Sequence, residues 1–238
     1  MTEDRLYFRQ LLSGRDFAVN DPFAQQMVNF VYLIGDRATG EAVIVDPAYD
    51  PAGILEVLAA DEMTCVGMLG THYHADHVGG SMMGFDVPGA AELLTQVDVP
   101  LHIQADEAEF VKTVTGIDDS SLLLHDGASS VLVGAVEIQL LHTPGHTPGS
   151  QSFLVDNRLV AGDTLFLQGC GRTDLPGGDP EELYRSLNGV LAKVPDDAVL
   201  FPGHQYSAAP SASMGDTRAT NMVFAPKTAE AWMAQFGR

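Results

Sequence analysis

The chain has 238 residues, 45% of them hydrophobic, and 32 acidic against 12 basic side chains, for a formal charge of −20. That length accommodates one large core and is short for two complete domains, so a single domain over 1–238 with a short C-terminal tail is expected. The acidic field repels phosphate backbones and anionic bilayers, which removes nucleic acid and membrane surfaces from the expected partners.

Two cysteines, Cys65 and Cys170, stand far apart and do not make a disulfide framework. The opening MTEDRLYFRQLLSG carries acids and arginines where an export signal needs an unbroken apolar stretch. No apolar run approaches the ~18 residues of a membrane span. A cytoplasmic location is expected.

In chain order, MVNFVYLIGD (27–36) and EAVIVDP (41–47) flank the turn-prone RATG and read as a hairpin. DPAYDPAGILEVLAA has helical spacing with Pro51 near its start. CVGMLG (65–70) reads as a buried strand, PLHIQA (100–105) as another, and ADEAEFVKTVTG (105–116) as a helix that Gly116 stops. VLVGAVEIQLLHTPGH suggests paired strands, and SFLVDNRLVAGD (152–163) a hairpin. PEELYRSLNGVLAKV (180–194) has the acidic start and basic end of a helix. SAAPSASMGDT (207–217), small and polar, reads as a loop between a last strand, AVLFPGH (198–204), and a terminal helix over 227–236. Strands adjacent in both halves and interspersed with helices favour a four-layer αβ/βα sandwich of two mixed sheets over a doubly wound parallel sheet.

Residues 71–80, THYHADHVGG, crowd three of the eight histidines around one aspartate. Imidazole nitrogens and carboxylate oxygens are the ligands that borderline-hard divalent metals prefer. Other apolar runs end the same way: EIQLLHTPG in His146, RLVAG in Asp163, AVLFPG in His204. Glycine precedes such groups by one or two positions, where the backbone has to turn sharply and carry a side chain into a cleft. The candidates are His72, His74, Asp76, His77, His146, Asp163 and His204. They exceed what a closed four-coordinate site uses, so open positions for water or substrate are expected. Five histidines and two carboxylates are enough for two metals, with one carboxylate free to bridge.

These motifs, H-x-H-x-D-H, HTPGHT, the GD aspartate and a late PGH, resemble the ligand motifs of the metallo-β-lactamase superfamily across about residues 19–206. The resemblance implies the αβ/βα sandwich with a metal cleft at one edge. It places His72, His74 and His146 on one metal, Asp76, His77 and His204 on the other, and Asp163 between them. GCGRTD (169–174) resembles the branch that holds glyoxalase II thioesterases and persulfide (sulfur) dioxygenases. Within that branch Arg172 matches a base for the glutathione carboxylate and Tyr206 an aromatic two residues after the last histidine. Three features depart from it. Asp174 stands where glyoxalase II has an aromatic, only 34 residues follow His204, and Leu175 replaces a dioxygenase phenylalanine.

The expected activity is hydrolysis of a thioester of a small thiol carrier by two divalent ions, zinc first with iron or manganese as substitutes, and with Asp76 orienting the nucleophile. The alternative is a persulfide dioxygenase with one iron on His72, His146 and Asp163, an open triad of two histidines and one carboxylate. The expected partner is the small-molecule substrate, and a homodimer is left open. Tyr73 is expected to pack, Cys170 to be a packing thiol, His102 and His125 to be hydrogen-bonded residues, and His142 at most to support His146.

Overall fold

The computed structural model describes residues 5–237; residues 1–4 and Arg238 of the expected 1–238 domain lie outside them. In chain order the strands begin with β1 (Leu6–Leu12), β2 (Phe30–Asp36), β3 (Glu41–Val45) and β4 (Thr64–Leu69). A small hairpin of β5 (Gly80–Met82) and β6 (Phe85–Val87) follows, then β7 (Leu101–Gln104) and β8 (Leu122–His125). The second half holds β9 (Ser129–Val133), β10 (Val136–His142), β11 (Gln151–Val155), β12 (Arg158–Gly162), β13 (Val199–Pro202) and β14 (Ala212–Ser213). They form two six-stranded sheets, ordered β1-β2-β3-β4-β7-β8 and β14-β13-β12-β11-β10-β9. Both are mixed: β3-β4, β4-β7, β7-β8 and β12-β13 run parallel, the remaining neighbours antiparallel.

The helices are α1 (Pro22–Met27), α2 (Pro51–Ala60), α3 (Ala75–Val78), α4 (Ala90–Leu94), α5 (Ala108–Thr115), α6 (Pro180–Arg185), α7 (Met214–Thr220) and α8 (Ala229–Phe236). Between the sheets, Tyr32, Ile34, Val43 and Val45 of the first meet Ile138, Leu140, Phe153 and Val160 of the second. On the outer face of the first sheet Leu33, Ile44 and Met68 pack with Ile54, Leu58, Leu93 and Val111 of α2, α4 and α5. On the outer face of the second, Leu159, Ala161 and Leu200 pack with Leu183, Met214 and Trp232 of α6, α7 and α8. Alternate residues of β2 thus enter different cores, as a strand buried on both faces requires. The result is the expected four-layer αβ/βα sandwich.

Three local expectations need correction. The first strand of the 27–36 hairpin starts at Phe30, because α1 occupies 22–27 and Val28 leaves it in a left-handed conformation. The 180–194 helix is α-helical only to Arg185; a π turn over Ser186–Val190 and a 3-10 turn over Leu191–Lys193 follow. Burying both Leu187 and Leu191 while Ser186 donates to the Pro144 carbonyl fits the widened turn around Gly189. The 207–217 stretch contains β14 and the start of α7, which Ser213 caps by accepting from the Asp216 N–H. LYFRQLL, LLLH and AAELL, not assigned from the sequence, form β1, β8 and α4.

Asp36 ties the two sheets at one end. Its buried carboxylate accepts from the Arg5 guanidinium and from the N–H groups of Ala38 and of Ala135, between β9 and β10. The Arg5 hydrogen bonds hold its pKa down to about 2. A carboxyl depressed on folding stabilises the fold above its unfolded pKa of ~3.9 and loses that contribution as pH falls through its folded value. Asp36→Asn is expected to flatten the acid limb of stability between about pH 4 and about pH 2, measured as denaturation midpoint against pH. An unchanged acid limb would show that this contact is not what acid breaks.

Candidate metal centre

The two sheets bring four chain segments to one edge. The C-terminal end of β4 runs through Gly70 and Thr71 into His72; the turns after β10, β12 and β13 deliver His146, Asp163 and His204. Gln151 N–H donates to the Thr71 carbonyl, which joins the sheets at this edge, and Phe30 N–H donates to the Gly203 carbonyl. The four-residue α3 then turns Asp76 and His77 back toward the same point. Gly162 takes φ +51°, and a Cβ there would lie 2.7 Å from the Thr71 side chain; a Cβ on Gly203 would come within 2.2 Å of Asp163 Oδ1. Glycine is required at both positions, by conformation at the first and by space at each.

All seven candidates converge. His72 Nε2 lies 2.9 Å from His74 Nδ1, which lies 3.1 Å from His146 Nε2. Nearby, His77 Nε2 is 3.2 Å from His204 Nε2, and Asp76 Oδ2 stands 3.6 and 3.4 Å from the two nitrogens. Asp163 sits between the groups: Oδ1 is 3.5 Å from His77 Nε2, while Oδ2 is 3.7 Å from His146 Nε2 and 3.4 Å from His204 Nε2. Ligands ~2.0–2.1 Å from a tetrahedral ion stand about 3.3–3.4 Å apart, so these spacings suit a divalent metal in each group. His72, His74 and His146 form one such group, and Asp76, His77 and His204 another. Asp163 Oδ1 is buried and has no hydrogen-bond partner among the described residues. A buried carboxylate oxygen without a donor is unfavourable, and a cation relieves it.

Outer contacts fix which nitrogen faces inward. His77 Nδ1 donates to Asp46 Oδ2 (2.8 Å), His146 Nδ1 to the Arg172 carbonyl (2.7 Å), and His204 Nδ1 to the Met27 carbonyl (2.8 Å). The Thr71 hydroxyl gives its proton to Asp46, so it accepts from His72 Nδ1 at 2.9 Å. Four histidines therefore turn Nε2 toward the centre, the orientation metal-binding histidines use.

The protonation states divide the groups. Burial, reinforced by neighbouring histidines, holds His72 well below its ordinary pKa and takes His74 to about 4. Burial also opposes charge on His77 and His204, but the carboxylates prevail, raising His77 to about 9 and His204 well above its usual value. Asp76 and Asp163 are depressed in return, burial pushing upward and His77 and His204 pulling downward. Before metal arrives the second group is an ion-paired cluster, so loading it releases protons.

Three supporting residues escape the sequence reading. Asp46 receives the Thr71 N–H and hydroxyl as well as His77, and it ends a strand in VIVDP as Asp163 does in RLVAGD, a parallel that could have exposed it. Asn29 donates to the Asp76 carbonyl and carboxylate and accepts from Tyr49. Glu107 accepts from the N–H of Tyr73 (2.6 Å) and of Gly149 (2.7 Å), clamping two ligand-bearing loops together. In the acidic run ADEAEF it has the look of a solvated helix face, and nothing local distinguishes it.

The remaining predicted residues fall as follows. Tyr206 stacks on His204, 4.7 Å between centroids and 7° between planes, and meets Phe166 edge-on. Arg172 lines the cleft, but its exposed guanidinium forks onto Asp174 at 2.6 Å. Tyr73 stacks on Phe110 and donates to the Pro176 carbonyl, the expected packing role. Burial lifts the Cys170 thiol to about 12, so no thiolate is available there. His102 pairs with His125 at 3.0 Å, and His142 donates to the Pro148 carbonyl rather than supporting His146. No helix among the described residues is long and apolar enough to cross a membrane.

Comparison with known proteins agrees with this geometry. Residues 25–204 match the family model described as the metallo-beta-lactamase superfamily. The chain is 29% identical to the human mitochondrial persulfide dioxygenase ETHE1 over 88% of its length and 76% of that protein. It is 35% identical to the hydroxyacylglutathione hydrolase of Alkalilimnicola ehrlichii over 76% of its length and 63% of that protein. The crystal structure of ETHE1 from Myxococcus xanthus superimposes with a TM-score of 0.79 at 28% identity, covering 98% of this chain and 90% of that one. The chain belongs to the metallo-beta-lactamase superfamily.

Proposed function

We propose that this protein is a two-metal thioesterase that hydrolyses an acyl thioester of a small thiol carrier, with His72, His74 and His146 holding one ion, Asp76, His77 and His204 the other, and Asp163 bridging. The observation that carries this reading is the completeness of the second group. His77 and His204 are each turned by an outer hydrogen bond to present Nε2 beside Asp76, a second pocket at metal-ligand spacing next to the first. The likeness to a hydroxyacylglutathione hydrolase supports the same chemistry.

His72, His74, His146, Asp76, His77, His204 and Asp163 would hold divalent metal, which when bound would supply an acidified water and polarisation of the thioester carbonyl. Asp76, anchored through its carbonyl and carboxylate by Asn29, would accept a hydrogen bond from the attacking water and orient it. Thiolate is a good leaving group, so no strong general acid is required. Cys170, held as a neutral thiol, does not compete as a nucleophile.

The second reading is a persulfide dioxygenase with one iron on His72, His146 and Asp163. The similarity to ETHE1 proteins over most of the chain favours it. Metal analysis of protein purified without air separates the two. Two zinc ions per chain with thioester turnover support hydrolysis; one iron with oxygen uptake on a persulfide overturns it.

Arg172 tests the carrier side. Its fork rests on Asp174, so a substrate carboxylate must displace an exposed, solvent-screened pair. The contact lies away from the reacting bond, so it is shared by ground and transition states. Arg172→Ala is expected to raise KM about twofold to fivefold on a carboxylate-bearing thioester with kcat nearly unchanged. The same loss on a carrier without a carboxylate assigns Arg172 to holding its loop.

A further inference from the structure

The cleft that His74, Asp76, His146, Asp163 and His204 open onto, about 470 Å³, has two unlike flanks. Beside His146 lies the charged turn of Arg172 and Asp174. The other flank is apolar, built from Met27, Met82, Met83, Phe166 and Tyr206, with Phe166 and Tyr206 packed directly on the His204 ring. Met83 is 80% exposed and Tyr206 58%. Exposed large apolar side chains grouped at the mouth of a cleft mark a binding surface more than an accident of packing.

The β5–β6 hairpin carries Met82 and, at its turn, Met83. At its base, a Cβ on Gly80 would come within 2.5 Å of Val114 on α5, and one on Gly79 within 2.7 Å of Gly89, so the hairpin is seated tightly on its neighbours. Near its tip, Phe85 stacks face to face on Phe23 of α1 at 4.5 Å. Met83 holds φ +54° at the turn, with Gly84 next to it. Methionine adapts its shape to what it contacts, which suits a wall for chains of varying length.

Resting on the thioesterase reading, we infer that the acyl group of the substrate is an aliphatic chain of several carbons, lying along Met27, Met82, Met83, Phe166 and Tyr206, while the thiol carrier leaves by the Arg172 flank. Met82 and Met83 are specificity residues that touch the chain and not the reacting carbonyl. Each methylene drawn out of water onto this wall contributes to kcat/KM as long as the chain remains on it.

The test uses metal-loaded protein and acetyl, butanoyl, hexanoyl and octanoyl thioesters of one small neutral thiol, with calorimetric binding of the matching thioethers, which cannot be hydrolysed. kcat/KM is expected to climb about twofold to fourfold per methylene, the upper figure corresponding to ~0.8 kcal/mol for each buried methylene group. In Met83→Ser and in Met82→Ser that slope should flatten, with Met83→Ser informative even if Met82→Ser folds poorly, because Met83 is exposed. Turnover that ignores chain length overturns the inference and leaves the thioesterase reading standing. Absence of turnover, with thioether affinity still rising along the series and falling in Met83→Ser, overturns hydrolysis and keeps the apolar subsite. Affinity independent of chain length together with absent turnover overturns both.

Discussion

Asp163→Ala is expected to leave less metal on the protein than any single-histidine variant and to reduce thioester hydrolysis by at least about a thousandfold, a loss of ~4 kcal/mol in transition-state stabilisation. A histidine removed from either group takes one neutral ligand from one ion. Asp163 alone offers an oxygen to each side, Oδ1 toward His77 and Oδ2 toward His146 and His204. Without it two bound dications would repel with no anion between them in a buried site. The fold should survive in the metal-free state. Asp163 Oδ1 makes no hydrogen bond among the described residues, and the carboxylate is enclosed by His77, His146 and His204 rather than by backbone amides. Circular dichroism of the variant checks the fold, and metal content per chain checks the bridge. A full metal complement in Asp163→Ala shows that Asp163 is not a ligand and that the convergence around it has another purpose.

The site was more legible in the sequence than the layers that carry it. Seven ligand-type residues at the ends of apolar runs are an unusual use of histidine and aspartate, and the sheets bring all of them within a few ångströms. Asp163 is visible because RLVAG ends on it with a glycine just before; Asp46 ends VIV in the same manner but follows Val45 rather than a glycine. Its link to His77 closes only through the parallel pairing of β3 with β4, which no local pattern states. Asn29 and Glu107 are hidden for the same reason, since their partners lie 47 and 34 residues away. The misjudged elements are those where tertiary contacts outweigh propensity. LYFRQLL is an edge strand whose apolar residues Leu6 and Leu12 reach the inter-sheet core and whose Tyr7 and Leu11 reach the outer one. SAAPSASMGDT looks like loop because of its small residues, yet Met214 is fully buried and anchors α7. A helical pattern across 180–194 did not disclose the wider turn that Ser186 and Pro144 accommodate.

His74→Ala and His77→Ala separate the two chemistries open to this ligand set, because both lie outside the triad of His72, His146 and Asp163. In a two-metal hydrolase each variant damages a different ion: His74 is the nitrogen between His72 and His146, and His77 meets Asp76, Asp163 and His204. Metal content is expected to fall from two ions toward one in both, and thioester turnover to collapse by roughly a hundredfold or more, because neither ion alone supplies both the acidified water and the electrophilic clamp. The two variants differ in what else they disturb. His77 also anchors Asp46, which holds Thr71 and through it His72, so His77→Ala loosens the first group as well and should be the more damaging. His74 is less buried and makes no comparable outer contact among the described residues, so its loss stays local. In a one-iron oxygenase the triad is untouched, iron stays at one per chain in both variants, and oxygen uptake on a persulfide persists. Full thioester turnover in both variants would remove the two-metal hydrolase; one retained iron with oxygen uptake would put the dioxygenase in its place.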